Sequence, residues 1–252
     1  MHRIVLEVCV DSVESAVAAV NGGADRLEVC ANIGVGGGTT PSMGLLKAIS
    51  SVVPHTPLMV MIRPRIGDFL YSGSEFDVML EDIRAFTQLG TASGIVFGIL
   101  DAAGEVDVAR SRKIVEEASP LQGTSLSTES DIAEARFHYG LSPSAPSSLP
   151  TLCSLFRYRS RPKADSRQGP KLLVGSGINP GTIQPVLDAL LSLGLEEVHM
   201  SGGRWVEGGM QFRRDGLGMG AGRQVEWSVW RTSEQAVREV REILDKATVH
   251  AA

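Results

Sequence analysis

Short apolar, β-branched runs alternate along this chain with stretches whose apolar residues recur every three or four positions. Ile4–Val10 is the first such run and reads as a buried strand. Asp11 or Ser12 can cap the helix after it, in which Val13, Val17 and Val20 share one face, and Gly22-Gly23 ends it. Arg26–Cys30 is a second strand, Gly34–Thr40 a glycine-rich loop, and Pro41 or Ser42 opens a helix through Leu45, Leu46 and Ile49. Leu58–Ile62 is a third strand, followed by a loop from Arg63 to Gly73 and a helix over Glu75–Leu89. Gly94–Gly98 and Val106–Ala118 give the fourth strand and helix. Further on, Lys171–Gly175 and Glu197–Met200 read as strands around a helix over Pro180–Leu193, and Ser233–Ala247 as a closing helix.

Strands alternating with helices imply an α/β fold with a parallel sheet under helical cover. At 252 residues the leading expectation is a single (β/α)8 TIM-type barrel domain over 1–252, since ~250 residues is the usual size of that fold. A doubly wound open sheet ranks second. The loop after the first strand, VDSVES, is short and glycine-poor and holds no GxGxxG to cradle a dinucleotide. Two regions break the alternation. Residues 121–169 are irregular, and 201–231 read as one long glycine-rich loop without strong periodicity.

Composition narrows the partners. Charged residues make up 21% of the chain and the net charge is -5, without a basic stripe, which argues against nucleic acid and against an anionic membrane surface. No apolar run approaches the ~20 residues of a membrane span. The opening MHRIVLEVCV already carries Glu7, so it lacks a signal-peptide core. Three cysteines without a CxxC framework point to thiols kept reduced, hence to a cytoplasmic protein. The partners left are a metal ion or a small anionic ligand, with room for a homo-oligomer.

The tetrapeptide LEVC occurs twice, at Leu6–Cys9 and Leu27–Cys30. Strand side chains alternate, so Glu7 shares a face with Cys9, and Glu28 with Cys30. If that face points into the barrel, both pairs climb toward the C-terminal mouth, where barrel enzymes keep their chemistry. Two inward carboxylates cannot stay ionised in a dry interior without a partner, and Arg63 at the end of the third strand is the expected one. Two thiols near one mouth would suit a soft metal, Cu(I) above all. The alternative is that both cysteines are small core residues. The matched glutamates argue for a site, because a buried Glu is uncommon.

Beyond these patterns the chain resembles the CutC copper-homeostasis family. The resemblance rests on LEVCVDSVESAVAAVNGGADRLEVC, GGGTTPSMGLL, VMIRPRIGDFLYS, GIVFGIL, VGSGINPGTI and EEVHMSGG. These cover Ile4 to about Pro120 almost continuously, then Pro170 to about Gly220. The resemblance implies a (β/α)8-type barrel, a role in cytosolic copper handling, and Cu(I) bound by two cysteines that fall at Cys9 and Cys30. It implies a fold and a site more firmly than a reaction.

One segment departs from the family pattern. Where the family continues with a strand resembling VTFHRAFD, a helix, and a strand resembling RVLTSG, this chain reads LQGTSLSTESDIAEARFHYGLSPSAPSSLP. Residues 122–140 are polar, lack a β-branched run, and are too short for strand, helix and strand. The expectation is that they supply neither the fifth nor the sixth stave, leaving the barrel incomplete or distorted. The His, Arg and Asp of FHRAFD, which face the mouth in the family, are missing too, and His138 lies outside that context. A shift of reading frame accounts for the departure. TSLSTE can be encoded by ACG TCA CTT TCC ACA GAG, which two bases along reads Val-Thr-Phe-His-Arg. On that account the chain is an out-of-frame or mis-spliced family member.

Three functions are therefore in play. The first is Cu(I) binding at the mouth through Cys9 and Cys30. The second is a metal-independent enzyme acting on a small phosphorylated or carboxylated substrate. There Glu7 and Glu28 do acid/base work, Arg63 anchors the anion, and His199, ending a strand, is a further ligand or acid/base. Gly175, Ser176 and Gly177, in VGSGINPG, would offer backbone N–H groups to a phosphate, or else make a tight strand-to-helix turn. The third is an inactive family member. Cys153 falls among Leu149, Leu152 and Phe156 in a helical pattern and reads as core, and the basic run 157–167 as a solvated linker.

Overall fold

In the computed structural model the described residues are 3–125, 136–138, 144–159, 171–214, 216 and 220–250. Eight strands pair in chain order: Val5–Val10 (β1), Arg26–Val29 (β2), Leu58–Ile62 (β3), Gly94–Phe97 (β4), Gln122–Ser125 (β5), Arg136–His138 (β6), Leu172–Val174 (β7) and Glu197–Met200 (β8). All neighbours are parallel and β8 returns to β1, closing the barrel. The helices are Val13–Asn21 (α1), Met43–Val52 (α2), Gly73–Leu89 (α3), Val108–Ala118 (α4), Leu149–Arg159 (α5), Ile183–Leu190 (α6) and Glu234–His250 (α7). This is the (β/α)8 class expected from the alternation, and closure removes the open-sheet alternative.

The first three helices start in one way. Ser12, Ser42 and Ser72 each accept a hydrogen bond from the backbone N–H three residues on, and Glu75 completes a capping box with Ser72. Each strand then divides by alternation. Leu6, Val8, Leu27, Val29, Val60, Ile62, Ile95 and Phe97 face outward into the layer formed with Ala16, Leu46, Ile49, Met79, Ile83 and Phe86. The opposite face carries Glu7, Cys9, Arg26, Glu28, Met59 and Met61 into the interior. At the bottom of the barrel Asp25 accepts from the Leu6 N–H (2.8 Å) and pairs with Arg241 (3.0 Å). Arg241 also donates to the Ile4 carbonyl (2.8 Å) and so fixes α7 to β1. Among the described residues no helix is long and apolar enough to cross a membrane.

Two expectations are corrected here. Residues 122–140 do contribute strands: β5 runs four registers beside β4, and Arg136–His138 bridges β5 to β7. The reason is that a ladder is made by backbone groups. β4 offers a row of N–H and C=O groups that any extended segment can pair, whatever its side chains. The irregularity expected there persists as short staves, with β6 and β7 of three residues each. The connection 126–135 lies outside the described residues, as does the His138 side chain.

The second correction concerns 201–231, which is not one loop. Gly203–Glu207 (β9) and Ser228–Thr232 (β10) form an antiparallel ribbon. Its Trp205 and Trp230 rings meet edge to face with centroids 5.5 Å apart. Trp205 lies so close to Gly34 that a Cβ there would sit 2.5 Å from the ring, which ties the ribbon to the loop after β2. With Trp205 and Trp230 on one face and Arg204 and Arg231 on the other, the ribbon lacks the apolar-polar alternation of a half-buried strand. Of the run read as a basic linker, Arg157–Arg159 form the last turn of α5, and 160–167 lie outside the described residues.

Candidate metal and acid–base site at the barrel mouth

The interior faces of β1, β2 and β8 bring together a buried charged cluster. In the parallel register Glu7 stands opposite Arg26 on one side and His199 on the other. Glu7 accepts from Arg26 Nε, and Arg26 Nη2 reaches Glu197 Oε2 at 2.9 Å. His199 Nδ1 lies 2.8 Å from Glu7 Oε1, and its Nε2 lies 3.3 Å from Glu28 Oε2. An ionised carboxylate only accepts, so Nδ1 carries the proton in the bond to Glu7. Glu7, Arg26, Glu28, Glu197 and His199 are all at most 5% exposed.

Above this layer, Cys9, Glu28 and His199 each offer one ligand atom, all within 4.8 Å of one another. Cys30, just past the end of β2, is fully buried, and its thiol donates to the Val10 carbonyl at 3.7 Å. The two LEVC copies therefore lie on neighbouring strands with both sulfurs inside the barrel, as the alternation predicts. Glu28 Oε1 is buried and has no hydrogen-bond partner among the described residues. Cys9, Glu28 and His199 open into a cavity of about 1200 Å³ lined also by Met61, Arg63, Phe69, Ser176 and Gly177.

Arg63 does not pair with the glutamates. Its Nη1 donates to the carbonyls of Gly36 (2.6 Å) and Gly38 (2.8 Å), its Nη2 to that of Gly67 (3.0 Å), and its guanidinium lies 4.9 Å from the Phe69 ring. It follows the last residue of β3 and turns over the lip, where it clips two mouth loops together. The cation that serves Glu7 is Arg26, directly opposite it. The signal was present in RLEVC, where Arg26, Glu28 and Cys30 alternate onto one face; likewise Glu197 shares a face with His199.

The turn after β7 is bonded largely within itself. Ser176 and Gly177 have φ of 73° and 69° and line the cavity. Asn179 N–H goes to Thr182 Oγ1 (2.9 Å), Gly181 N–H to Asn179 Oδ1 (2.9 Å), and the N–H groups of Thr182 and Ile183 to the Asn179 carbonyl. Those four donors serve the strand-to-helix turn; the N–H groups of Gly175, Ser176 and Gly177 are not among them. Cys153 is a half-buried free thiol on α5, 3.9 Å from the Ala189 carbonyl and away from the mouth.

The electrostatics of the cluster follow from burial and neighbours. Burial opposes ionisation of Glu7, but the His199 hydrogen bond and the Arg26 charge outweigh it and hold the carboxyl down at about 2. The hydrogen bond from Cys30, helped by His199, overcomes burial and lowers the Cys9 thiol to about 6. The same bond together with burial raises Cys30 well above the ordinary thiol value. Burial pushes Glu28 up to about 8, against the pull of His199. Burial also opposes the charge on His199, but the Glu28 carboxyl and the bonds to Cys9 and Glu7 hold its proton well above the usual imidazole range.

A family model for the CutC family matches residues 4–134. The chain is 40% identical over 253 residues to the family protein CutC of Chromobacterium violaceum, covering 96% of this chain and 99% of that one. It is 35% identical over 256 residues to the corresponding protein of Citrobacter koseri, covering 95% and 96%. Among solved structures it is similar to one described as a copper homeostasis protein, CutC, from Streptococcus agalactiae. That match has a TM-score of 0.64 and 23% identity, and covers 79% of this chain and 98% of that one.

Proposed function

Because this chain belongs to the CutC family, we propose that it works in copper homeostasis and takes Cu(I) as its cargo at the barrel mouth, through Cys9 and Cys30 with His199 beside them. The observation that carries this reading is that Cys9, Glu28 and His199 bring one ligand atom each within 4.8 Å of one another inside the mouth, with Cys30 buried on the neighbouring strand beside Cys9. The donor set fits a soft monovalent ion. Thiolate sulfur selects Cu(I), and imidazole is compatible with it. A metal-bound histidine usually gives its other ring N–H to a carboxylate, which is the arrangement of His199 Nδ1 on Glu7. Ligands must be deprotonated to bind. Cys9 meets that condition near neutrality, whereas Cys30 and His199 Nε2 would each release a proton. Glu28, a protonated hard-oxygen group, stands beside the ion as an acid rather than as a ligand.

An anaerobic titration of the reduced protein against a chromogenic Cu(I) chelator tests this. One equivalent should be retained. Cys9→Ser and Cys30→Ser should each weaken binding by more than the ~10–100-fold that loss of an outer partner costs. Glu28→Gln should keep the ion. Indifference of the affinity to both cysteines would sink the proposal.

The second reading is a metal-free enzyme acting on a small anionic substrate. What favours it is Glu28, whose carboxyl burial pushes up to about 8 and whose Oε1 lacks a partner among the described residues, beside a cavity of about 1200 Å³. Such an acid is poised for proton transfer at working pH. In this reading Arg63 contributes charge rather than a free fork, because its Nη groups hold loop carbonyls. It predicts turnover that Glu28→Gln abolishes and that is indifferent to Cys30→Ser.

A further inference from the structure

We propose that Met61 gives a third sulfur to the same ion, so that Cys9, Cys30 and Met61 form a cradle for a soft monovalent cation. This rests on the Cu(I) reading above. The β2–β3 register sets Glu28 opposite Met59, so Met59 and Met61 share the interior face with Glu28 and Cys30. Met59 is fully buried, whereas Met61, one step nearer the mouth, is partly exposed and lines the cavity with Cys9, Glu28 and His199.

Gly38 places the thioether relative to the cysteine. A Cβ on Gly38 would lie 2.9 Å from Met61 Sδ and 3.3 Å from Cys30 Cβ, so the two side chains flank a point that the glycine leaves empty. Its φ of +97° independently requires glycine. The loop is held in place there. Ala31 and Thr39 exchange backbone hydrogen bonds of 2.9 and 2.8 Å, and Arg63 Nη1 grips the Gly38 carbonyl.

The chemistry suits the position. A thioether is soft and neutral, and so binds without releasing a proton or adding charge to a cluster that already holds several carboxyl groups. A residue there for packing alone would be served equally well by leucine, a swap of nearly equal volume.

The test uses the full-length reduced protein labelled with [13C-methyl]methionine, Met61 being assigned from its absence in Met61→Leu. Adding one equivalent of Cu(I) should move the Met61 methyl signal far more than that of Met59. Met61→Leu should keep its metal-free melting temperature and one-ion stoichiometry while binding at least about tenfold more weakly, the lower bound for disturbing a metal's surroundings. A Met61 signal unmoved while the cysteines still take up the ion, or an unchanged affinity in Met61→Leu, would overturn the thioether and leave the copper reading standing. Absence of Cu(I) uptake by the wild type would overturn both.

Discussion

Between β8, β1 and β2 each strand pair runs through four residues, and the interior they enclose holds Glu7, Arg26, Glu28, Glu197 and His199 in a buried network. Around the arc that leads back to β8, β5 to β6, β6 to β7 and β7 to β8 are joined through two residue pairs each. The first side positions chemistry, so it needs long ladders and charges that fix one another. The second has only to close the ring, and backbone pairing suffices for that. The difference teaches that a barrel can close through short ladders on one arc, which runs up to β8, while the strands from β8 through β1 to β2 keep the long ladders that hold the buried cluster.

The comparison breaks most sharply at Arg26. Arg26→Met leaves Glu7 and Glu197 buried with their shared cation gone, and removing one partner of a buried ion pair typically costs about 3–5 kcal/mol. Urea unfolding should show a loss of that order, together with release of the His199 ring from its present position. A loss as small as that of a surface substitution would mean that the network does not hold this side together.

Glu28 sharpens the same side through pH. Its carboxyl is raised from 4.5 to about 8 in the folded chain, so between those values the folded state keeps a proton that the unfolded state has lost. Stability from this group is therefore unaffected below about 4.5 and falls as pH rises to about 8, by at most about 1.4 kcal/mol per pH unit. The metal-free Glu28→Gln variant should gain on the wild type across that window and run parallel to it above. Parallel stability curves throughout would show that Glu28 ionises as freely folded as unfolded.

The smallest effect compares backbones. In native-state hydrogen exchange, amides of β1, β2 and β8 should open only with global unfolding, whereas those of Gln122–Ser125, Arg136–His138 and Leu172–Val174 should open at lower free energy, because two-pair ladders have little to lose locally. Uniform protection around the ring would erase the distinction between the two arcs.

Most strands and helices were legible because periodicity reports burial directly: Leu58–Ile62 and Glu197–Met200 stand where the apolar runs put them. The inward face of LEVC was legible for the same reason. What misled was the use of side-chain composition as a proxy for backbone pairing. QGTS lacks strand propensity, yet it pairs because a neighbouring edge was available. The ribbon of β9 and β10 escaped for the complementary reason, since its stability comes from Trp205 on Gly34 and Trp230 on Trp205, contacts distant in the chain.

The sequence by itself determined the barrel class and which residues of β1 and β2 face inward. Both follow from local alternation, which a strand imposes on its own side chains. Only the tertiary structure decided who meets whom. Arg63 was the expected partner of the glutamates because it ends a strand near them, but register places Arg26 opposite Glu7 and sends Arg63 over the lip to three carbonyls. The approach of Cys9, Glu28 and His199 depends on β8 closing onto β1 across almost the whole chain, a fact of stagger that no local pattern records.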